Sequence, residues 1–376
     1  MILDFVFESD SYENRELAVS VRKFAEANLG EVGFDRAHFS RMGELGLTGM
    51  SLDERYGGSA MESLSIASAL FEISRIQLGP TIYLSVHLMV AKIIQQYGAD
   101  ENADLLHEMA AGRALGAFCL TEAQAGSDAY ALRTRAEKSG NSWTINGEKI
   151  YITSAGLADA YVVFARTSDD KKNGITAFLL RKDHPGMSFG PHEKKMGAEG
   201  SPIATVTFEN CKVDDSARLG EVGGGYKIAL SGLNRGRVSI GAAACGLASR
   251  SIEIARAHLA ERTQFGQALA DFQGLRFMLA DMATQLYASI LLTRDAAQRL
   301  DSGGKQNWPS SMAKFFASDA AMKITTDGVQ LLGGAGYLAD YTAERLMRDA
   351  KMLQIVEGAN QIQRLIVARA LFDELA

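Results

Sequence analysis

Between about residues 10 and 113, apolar side chains recur at intervals of three and four, as in "SIASALFEISRI" and "VAKIIQQYG". That spacing lines one face of an α-helix, and the glycine-bearing breaks "GLTG" and "YGGS" separate one helical stretch from the next. The pattern changes at "SWTINGEKIYI", where Trp143 and Ile145 precede an Asn-Gly pair and Ile150 and Ile152 follow it. This predicts a β-hairpin turning at Asn146 and Gly147. "AYVVFART", "ITAFLL" and "ATVTFENCKV" continue with the β-branched and aromatic residues that strands favour. After "GEVGGGY" the helical period returns: Phe272, Leu275, Leu279, Met282 and Leu286 form one stripe, as on a bundle helix buried on one side. Pro309, the last proline, opens a further helical stretch that the glycine-rich "QLLGGAGY" interrupts. The expected fold is α+β, mainly α: helices over 1–115, a middle β-domain over 116–222, and a C-terminal helical bundle over 223–376.

Composition narrows the function classes. With 47% hydrophobic and 22% charged residues, the chain reads as an ordinary globular protein large enough for a sizeable core. The net charge of −6 comes with no Lys/Arg-rich run, so nucleic acid is not expected as a partner. Cys119, Cys211 and Cys245 lie far apart in no metal-ligand spacing, which predicts reduced, buried thiols and no metal site. The acidic start "MILDFVFESDSYENRELA" does not resemble a signal peptide, and the apolar run "HLMVAKII" is short and broken by Lys92. No membrane span and a cytoplasmic location are expected.

Four motifs carry candidate chemistry. In "QIVEGANQIQRLIVARALF", Glu357 falls in a short connection between the helix of "TAERLMRDAKML" and a second helix. Asn360 followed by Gln363 resembles a capping box for that second helix. Ile355 and Val356 make the approach apolar, and Gly358 lets the backbone turn the acid inward. A carboxylate buried without a partner has a raised pKa and becomes a better base; a solvated acid near a helix start is the plainer alternative. "CLTEAQAGSDAYA" offers Thr121, Gly126 and Ser127 as free amides and hydroxyls for phosphate or a polar cofactor edge, or it is a simple loop. In "QLLGGAGYLADY", Gly333 and Gly334 allow close approach to a ligand, or cap a helix. "AERTQFGQALADFQ" places Arg262, Phe265 and Gln273 on and just beyond a helix end.

In their order and spacing, these four motifs resemble the acyl-CoA dehydrogenase family over essentially the whole chain. The resemblance implies a middle sandwich or barrel domain and a C-terminal four-helix bundle. It implies bound FAD and removal of two hydrogens across the α and β carbons of an acyl-CoA, as in fatty-acid β-oxidation, with electrons passed to an electron-transferring flavoprotein. Glu357 would be the base, and its own backbone N–H would help to hold the developing charge on the thioester carbonyl. Arg237 would lie close to it, and Asn234, Ser127 and Gly358 would contact the substrate. By the same correspondence Leu120, Thr121, Tyr151, Ile152 and Thr153 would lie against the flavin, with Gly126 and Ser127 near its diphosphate or the CoA. Asn360 and Gln361 would sit on the cofactor side. Arg262, Phe265, Gln273, Gln330, Gly333 and Gly334 would reach the adenosine half of FAD in a neighbouring subunit, which requires an oligomer, in the family usually a homotetramer built as a dimer of dimers.

The chain also departs from the family pattern. Some members carry the base at the position of Gly236, which here has no side chain, so Glu357 is the acid on offer. Many have tryptophan where Tyr151 stands and a hydroxyl residue where Ala359 stands, so flavin potential or oxygen reactivity can differ. An acyl-CoA oxidase on the same fold and a non-catalytic acyl-CoA-binding subunit are the competing readings. Within the family, the C-terminal half looks closest to the short-chain and branched short-chain members.

Overall fold

A computed structural model describes residues 11–30, 33–98, 101–170, 173–303 and 307–373. Among the described residues five α-helices lead: α1 (Tyr12–Asn28), α2 (Arg36–Glu44), α3 (Ser63–Ile76), α4 (Leu78–Gly98) and α5 (Ala103–Ala110). Ser11 and Asp35 start the first two as caps, accepting from Asn14 N at 3.2 Å and Ala37 N at 2.8 Å. The helix α4 is longer than the apolar run around Lys92 suggests. By length and composition it and the later Gly225–Glu261 helix are apolar enough to cross a membrane, but 83% and 78% of their apolar windows are buried inside the protein.

The middle segment forms β1 (Gly116–Cys119), β2 (Arg135–Ser139), β3 (Ser142–Thr153), β4 (Ala160–Arg166), β5 (Ile175–Arg181), β6 (Met187–Phe189), β7 (Ile203–Asp214) and β8 (Arg218–Leu219). Their order is β6-β7-β3-β2-β4-β5-β8, with β1 parallel to β4. The hairpin expected at Asn146 and Gly147 is not a turn. The strand β3 runs straight through the pair, and the chain reverses earlier, between Ser139 and Ser142. Asn146 and Gly147 instead form an irregularity against β7, where the register shifts between Ile145 and Gly147. Gly147 takes φ 142°, and a Cβ there would meet Thr134 at 2.7 Å, so the Asn-Gly signal marks a bulge at a tight crossing.

The rest is mainly helical: α6 (Gly225–Glu261), α7 (Gln273–Asp301), α8 (Trp308–Leu332), α9 (Thr342–Leu353) and α10 (Asn360–Asp373), with a short antiparallel ribbon of Thr263–Gln264 and Gln267–Ala268 between α6 and α7. Pro309 sits in the first turn of α8, where its missing N–H costs nothing. The helices α6, α7 and α8 pack on one another, α9 and α10 lie against α8, and α3 closes the other side of α6. Gly246 permits that last contact, since a Cβ there would lie 2.1 Å from the Phe71 carbonyl oxygen. Of the apolar stripe on α7, Met282 and Leu286 are buried, whereas Phe272, Leu275 and Leu279 at its start are half-buried. All three cysteines are buried free thiols.

Candidate functional site

Glu357 lies in the turn between α9 and α10, as the helical spacing predicts. The turn is unusual because Glu357 itself is left-handed (φ 55°), and Gly358 follows at φ 91°. A left-handed non-glycine residue costs roughly 1 kcal/mol and persists only when its surroundings hold it. The clamp comes from Gln363 on the first turn of α10, whose Nε2 donates to the carbonyl oxygens of Glu357 (3.0 Å) and Gly358 (2.9 Å). The capping box expected from Asn360 and Gln363 is therefore absent. The Asn360 side chain turns into the protein and donates to Ser318 Oγ (2.9 Å) and Asp319 Oδ1 (2.7 Å), because α8 presents these acceptors at the helix start. Asn360 is buried there, facing α8.

The Glu357 residue keeps some exposure, but its carboxylate is shut away: Oε2 is shielded and has no partner among the described residues. Burial pushes the acid up to about 7, against the pull of Arg237 and then Lys314. Ile355 does not make this enclosure, since it is 58% exposed. The wall is α6. A Cβ built on Gly236 would stand 2.6 Å from Glu357 Oε2, so the carboxylate fills the room that a side chain at 236 would need. Arg237, the next residue, is buried and loses much of its solvation; its Nε has no partner among the described residues, and its Nη1 donates weakly to Ser311 Oγ at 3.4 Å. Asn234 Oδ1, one turn earlier on α6, is likewise buried and unpartnered. Three polar atoms near one helix face, Glu357 Oε2, Arg237 Nε and Asn234 Oδ1, thus lack partners among the described residues, which suits a site that receives a polar ligand.

A second group gathers where the sheet meets the loop after β1. The Ile150 N–H donates to the Thr121 carbonyl at 2.9 Å, joining the segment of Leu120 and Thr121 to that of Tyr151, Ile152 and Thr153. The register of β3 against β7 breaks between Lys149 and Ile152, and Tyr151 takes φ 57°. The bulge throws its ring off the sheet, 63% exposed, while Ile152 on the other side is buried. Ser154 buries a hydroxyl that has no partner among the described residues.

A buried ion pair that no local sequence pattern marks lies beneath this group. Lys149 Nζ donates to Glu122 Oε1 (2.7 Å) and to the Leu120 carbonyl (3.0 Å), and the Glu122 carboxylate also accepts from Arg133 N (2.6 Å) and Thr134 N (2.9 Å). Burial opposes the charge on Glu122, but Lys149 and these amides hold its carboxyl below the usual range. Gly126 and Ser127, further along the loop, are exposed, with open space around Gly126.

The remaining predicted residues lie at exposed positions: at helix ends, in the turn of the ribbon that carries Phe265, and on α10. Arg262 caps the C-terminus of α6, Phe265 is 94% exposed at φ 52°, and Gln273 opens α7. Gln330, Gly333 and Gly334 end α8, and nothing stands within 4 Å of a Cβ built on either glycine. Gln361 is exposed on α10.

The chain matches the N-terminal, middle and C-terminal domain models of acyl-CoA dehydrogenase over residues 11–113, 117–211 and 223–372. It is 43% identical to an acyl-CoA dehydrogenase of Bacillus subtilis, covering 88% of each chain, and 37% identical to a short-chain-specific acyl-CoA dehydrogenase of Clostridium acetobutylicum, covering 94% and 96%. Among solved structures it is similar to butyryl-CoA dehydrogenase from Megasphaera elsdenii, with TM-score 0.94, 36% identity and coverage of 96% and 98%. A structure described as the electron transferring flavoprotein of Acidaminococcus fermentans matches with TM-score 0.94, 40% identity and coverage of 97% and 99%. A glutaryl-CoA dehydrogenase from Mycobacterium smegmatis in complex with FADH2 matches with TM-score 0.92, 29% identity and coverage of 97% and 96%. With α, β and α segments in this order and all three domain models matched, the chain belongs to the acyl-CoA dehydrogenase family of flavin-dependent oxidoreductases.

Proposed function

We propose that this chain oxidises an acyl-CoA thioester to its trans-2-enoyl-CoA, with Glu357 as the base that takes the α-proton. The observation that carries the reading is the Glu357 carboxylate, held beside Gly236 with an unpartnered oxygen and an affinity for protons pushed up to about 7. A general base works best when its pKa lies near the working pH. The Glu357 N–H has no acceptor among the described residues and is free to donate to the thioester oxygen as charge develops there. Gln363 fixes both peptides of the turn and so orients that donor together with the acid. Arg237 keeps a share of Glu357 ionised at neutral pH, and Asn234 offers a polar contact for the substrate.

FAD fits the second group. The ring of Tyr151 stands free of the sheet, the Ser154 hydroxyl is unpartnered, and the open loop at Gly126 and Ser127 suits a phosphate. Leu120, Thr121, Ile152 and Thr153 would complete that wall, with Gln361 at its edge. When bound, FAD supplies the acceptor for the hydride that leaves the β-carbon. The exposed set of Arg262, Phe265, Gln273, Gln330, Gly333 and Gly334 would hold the adenosine half for a neighbouring copy. The likeness to a structure described as an electron transferring flavoprotein supports such a protein as the electron acceptor. The short-chain and butyryl-CoA relatives support a short acyl substrate and a place in β-oxidation.

The purified protein, mixed anaerobically with a panel of acyl-CoAs, is expected to lose its flavin absorbance with short thioesters. Glu357→Gln is expected to retain FAD and lose at least about a thousandfold in bleaching rate. Normal bleaching by that variant would remove Glu357 from its role. Fast reoxidation when oxygen is admitted would point to an oxidase.

A further inference from the structure

Lys314 was given no role by its sequence context, yet it is one of the most completely buried side chains in the protein. It projects from α8 beneath the Glu357 turn. Its Nζ donates to the Gly358 carbonyl at 3.0 Å and to Asn360 Oδ1 at 2.7 Å. Asn360 is in turn held by Ser318 and Asp319 on the same helix, so the lysine, the amide and the turn form one connected unit. A buried lysine is expensive, because taking an ammonium out of water opposes its charge. Burial does push Lys314 down to about 7, against the support of Glu357 and then Asp319.

We infer that Lys314 is a positioning residue for the base: it clamps the carbonyl side of the Glu357 turn from α8 and places a cationic group beside the acid. The Gly358 carbonyl receives two donors, Gln363 Nε2 from α10 and Lys314 Nζ from α8, so the left-handed turn is gripped from both neighbouring helices. The charged groups around the acid are Arg237 on α6, Lys314 and Asp319 on α8, and Arg364 on α10, with Tyr226 on α6 acting on Arg237. Asp319 is engaged by Arg364 at 2.5 Å and by Gln354 at 2.7 Å. That leaves Arg237 and Lys314 as the two cations that act directly on Glu357. Removing a nearby cation makes a carboxylate harder to ionise, so loss of Lys314 raises the pH at which Glu357 becomes a base.

This inference rests on Glu357 being the base, and the test separates the two. Lys314→Met removes both charge and donor, while Lys314→Gln removes the charge and keeps a donor for Gly358. Two readouts are taken across pH for each: the anaerobic bleaching rate with butyryl-CoA, and the infrared carboxyl band of Glu357, identified by its loss in Glu357→Gln. Both variants are expected to retain FAD and to move the bleaching midpoint and the infrared titration up by roughly one pH unit. Lys314→Met is expected to lose about tenfold more rate at its own plateau than Lys314→Gln, because the turn is also released. An unchanged midpoint in both variants overturns the inference, and so does failure of both to fold or hold flavin, which would give Lys314 a purely structural part. If the parent protein bleaches with no thioester, the proposed reaction fails, whereas the infrared titration still decides whether Lys314 acts on Glu357.

Discussion

At the scale of single residues, three of the candidate site residues share a left-handed backbone. Tyr151, Phe265 and Glu357 are all non-glycine residues with φ between 52° and 57°; Phe265 and Glu357 belong to the candidate motifs, and Tyr151 to the residues that the family resemblance implies. A left-handed residue with a Cβ tolerates no sliding of its neighbours, which suits groups that must point in one direction. The acid illustrates what this achieves. With its affinity for protons raised from 4.5 to about 7 by burial, Glu357 has a sign-determined effect on both rate and stability. The rate requires the ionised form, so bleaching by a short acyl-CoA should fall about tenfold per pH unit below a midpoint near 7 and level off above it, measured by stopped-flow absorbance. Stability runs the other way. A carboxyl whose pKa is higher folded than unfolded contributes most below the unfolded value and loses that contribution as pH rises through the folded one. Glu357→Gln should therefore gain melting temperature over the parent as pH goes from 5 to 8, and a constant difference would show that the acid is not buried as described.

At the scale of elements, the site depends on ties between segments far apart in the chain. Glu122 and Lys149 come from the loop after β1 and from the middle of β3, and they meet with 4% and 0% exposure. Their pair holds Leu120 and Thr121 against the bulge that presents Tyr151. Removing one partner of a buried pair strands the other and costs about 3–5 kcal/mol. Lys149→Met should accordingly lower the melting temperature by several degrees and shed flavin on gel filtration, while the far-ultraviolet circular dichroism of the folded fraction stays unchanged. A variant that keeps its flavin through the column would show that the tie does not support the cofactor wall. The turn of Glu357 obeys the same logic with three helices, since α6 supplies the wall, α8 the lysine and α10 the glutamine clamp.

At the scale of the molecule, the exposed aromatic residues need an account. Phe265, Tyr337 and Phe277 are 94%, 83% and 58% exposed, around the same helix ends that carry Arg262, Gln273 and the Gly333–Gly334 pair. Large apolar side chains clustered at a surface mark places where another surface belongs. The homotetramer expected from the family resemblance, in which one copy would complete the flavin site of the next, would account for both the exposure and the motif. Sedimentation at micromolar concentration should give a species of four chains, and Phe265→Ala should weaken both assembly and flavin retention together. A monomer that binds FAD stoichiometrically would refute this arrangement.

What the sequence determined by itself is whatever depends on local period and on motif order. The α, β, α succession, the helix that Pro309 opens, the connection carrying Glu357 and the free thiols all follow from patterns within one segment. Tertiary structure decided the rest, because the causes lie in other segments. Nothing near Asn146 and Gly147 announces that β3 continues through them, since the contact that makes a bulge there comes from Thr134. The apolar neighbour Ile355 faces outward, and the enclosure of Glu357 comes from α6, more than a hundred residues earlier in the chain. Asn360 and Gln363 have the spacing of a capping box, but acceptors on α8 and the carbonyls of the turn compete for their amides and win. Lys149 and Lys314 look like surface lysines in sequence, because a lysine is recognised as buried only once the carboxylate or carbonyl that receives it has been brought alongside by the fold.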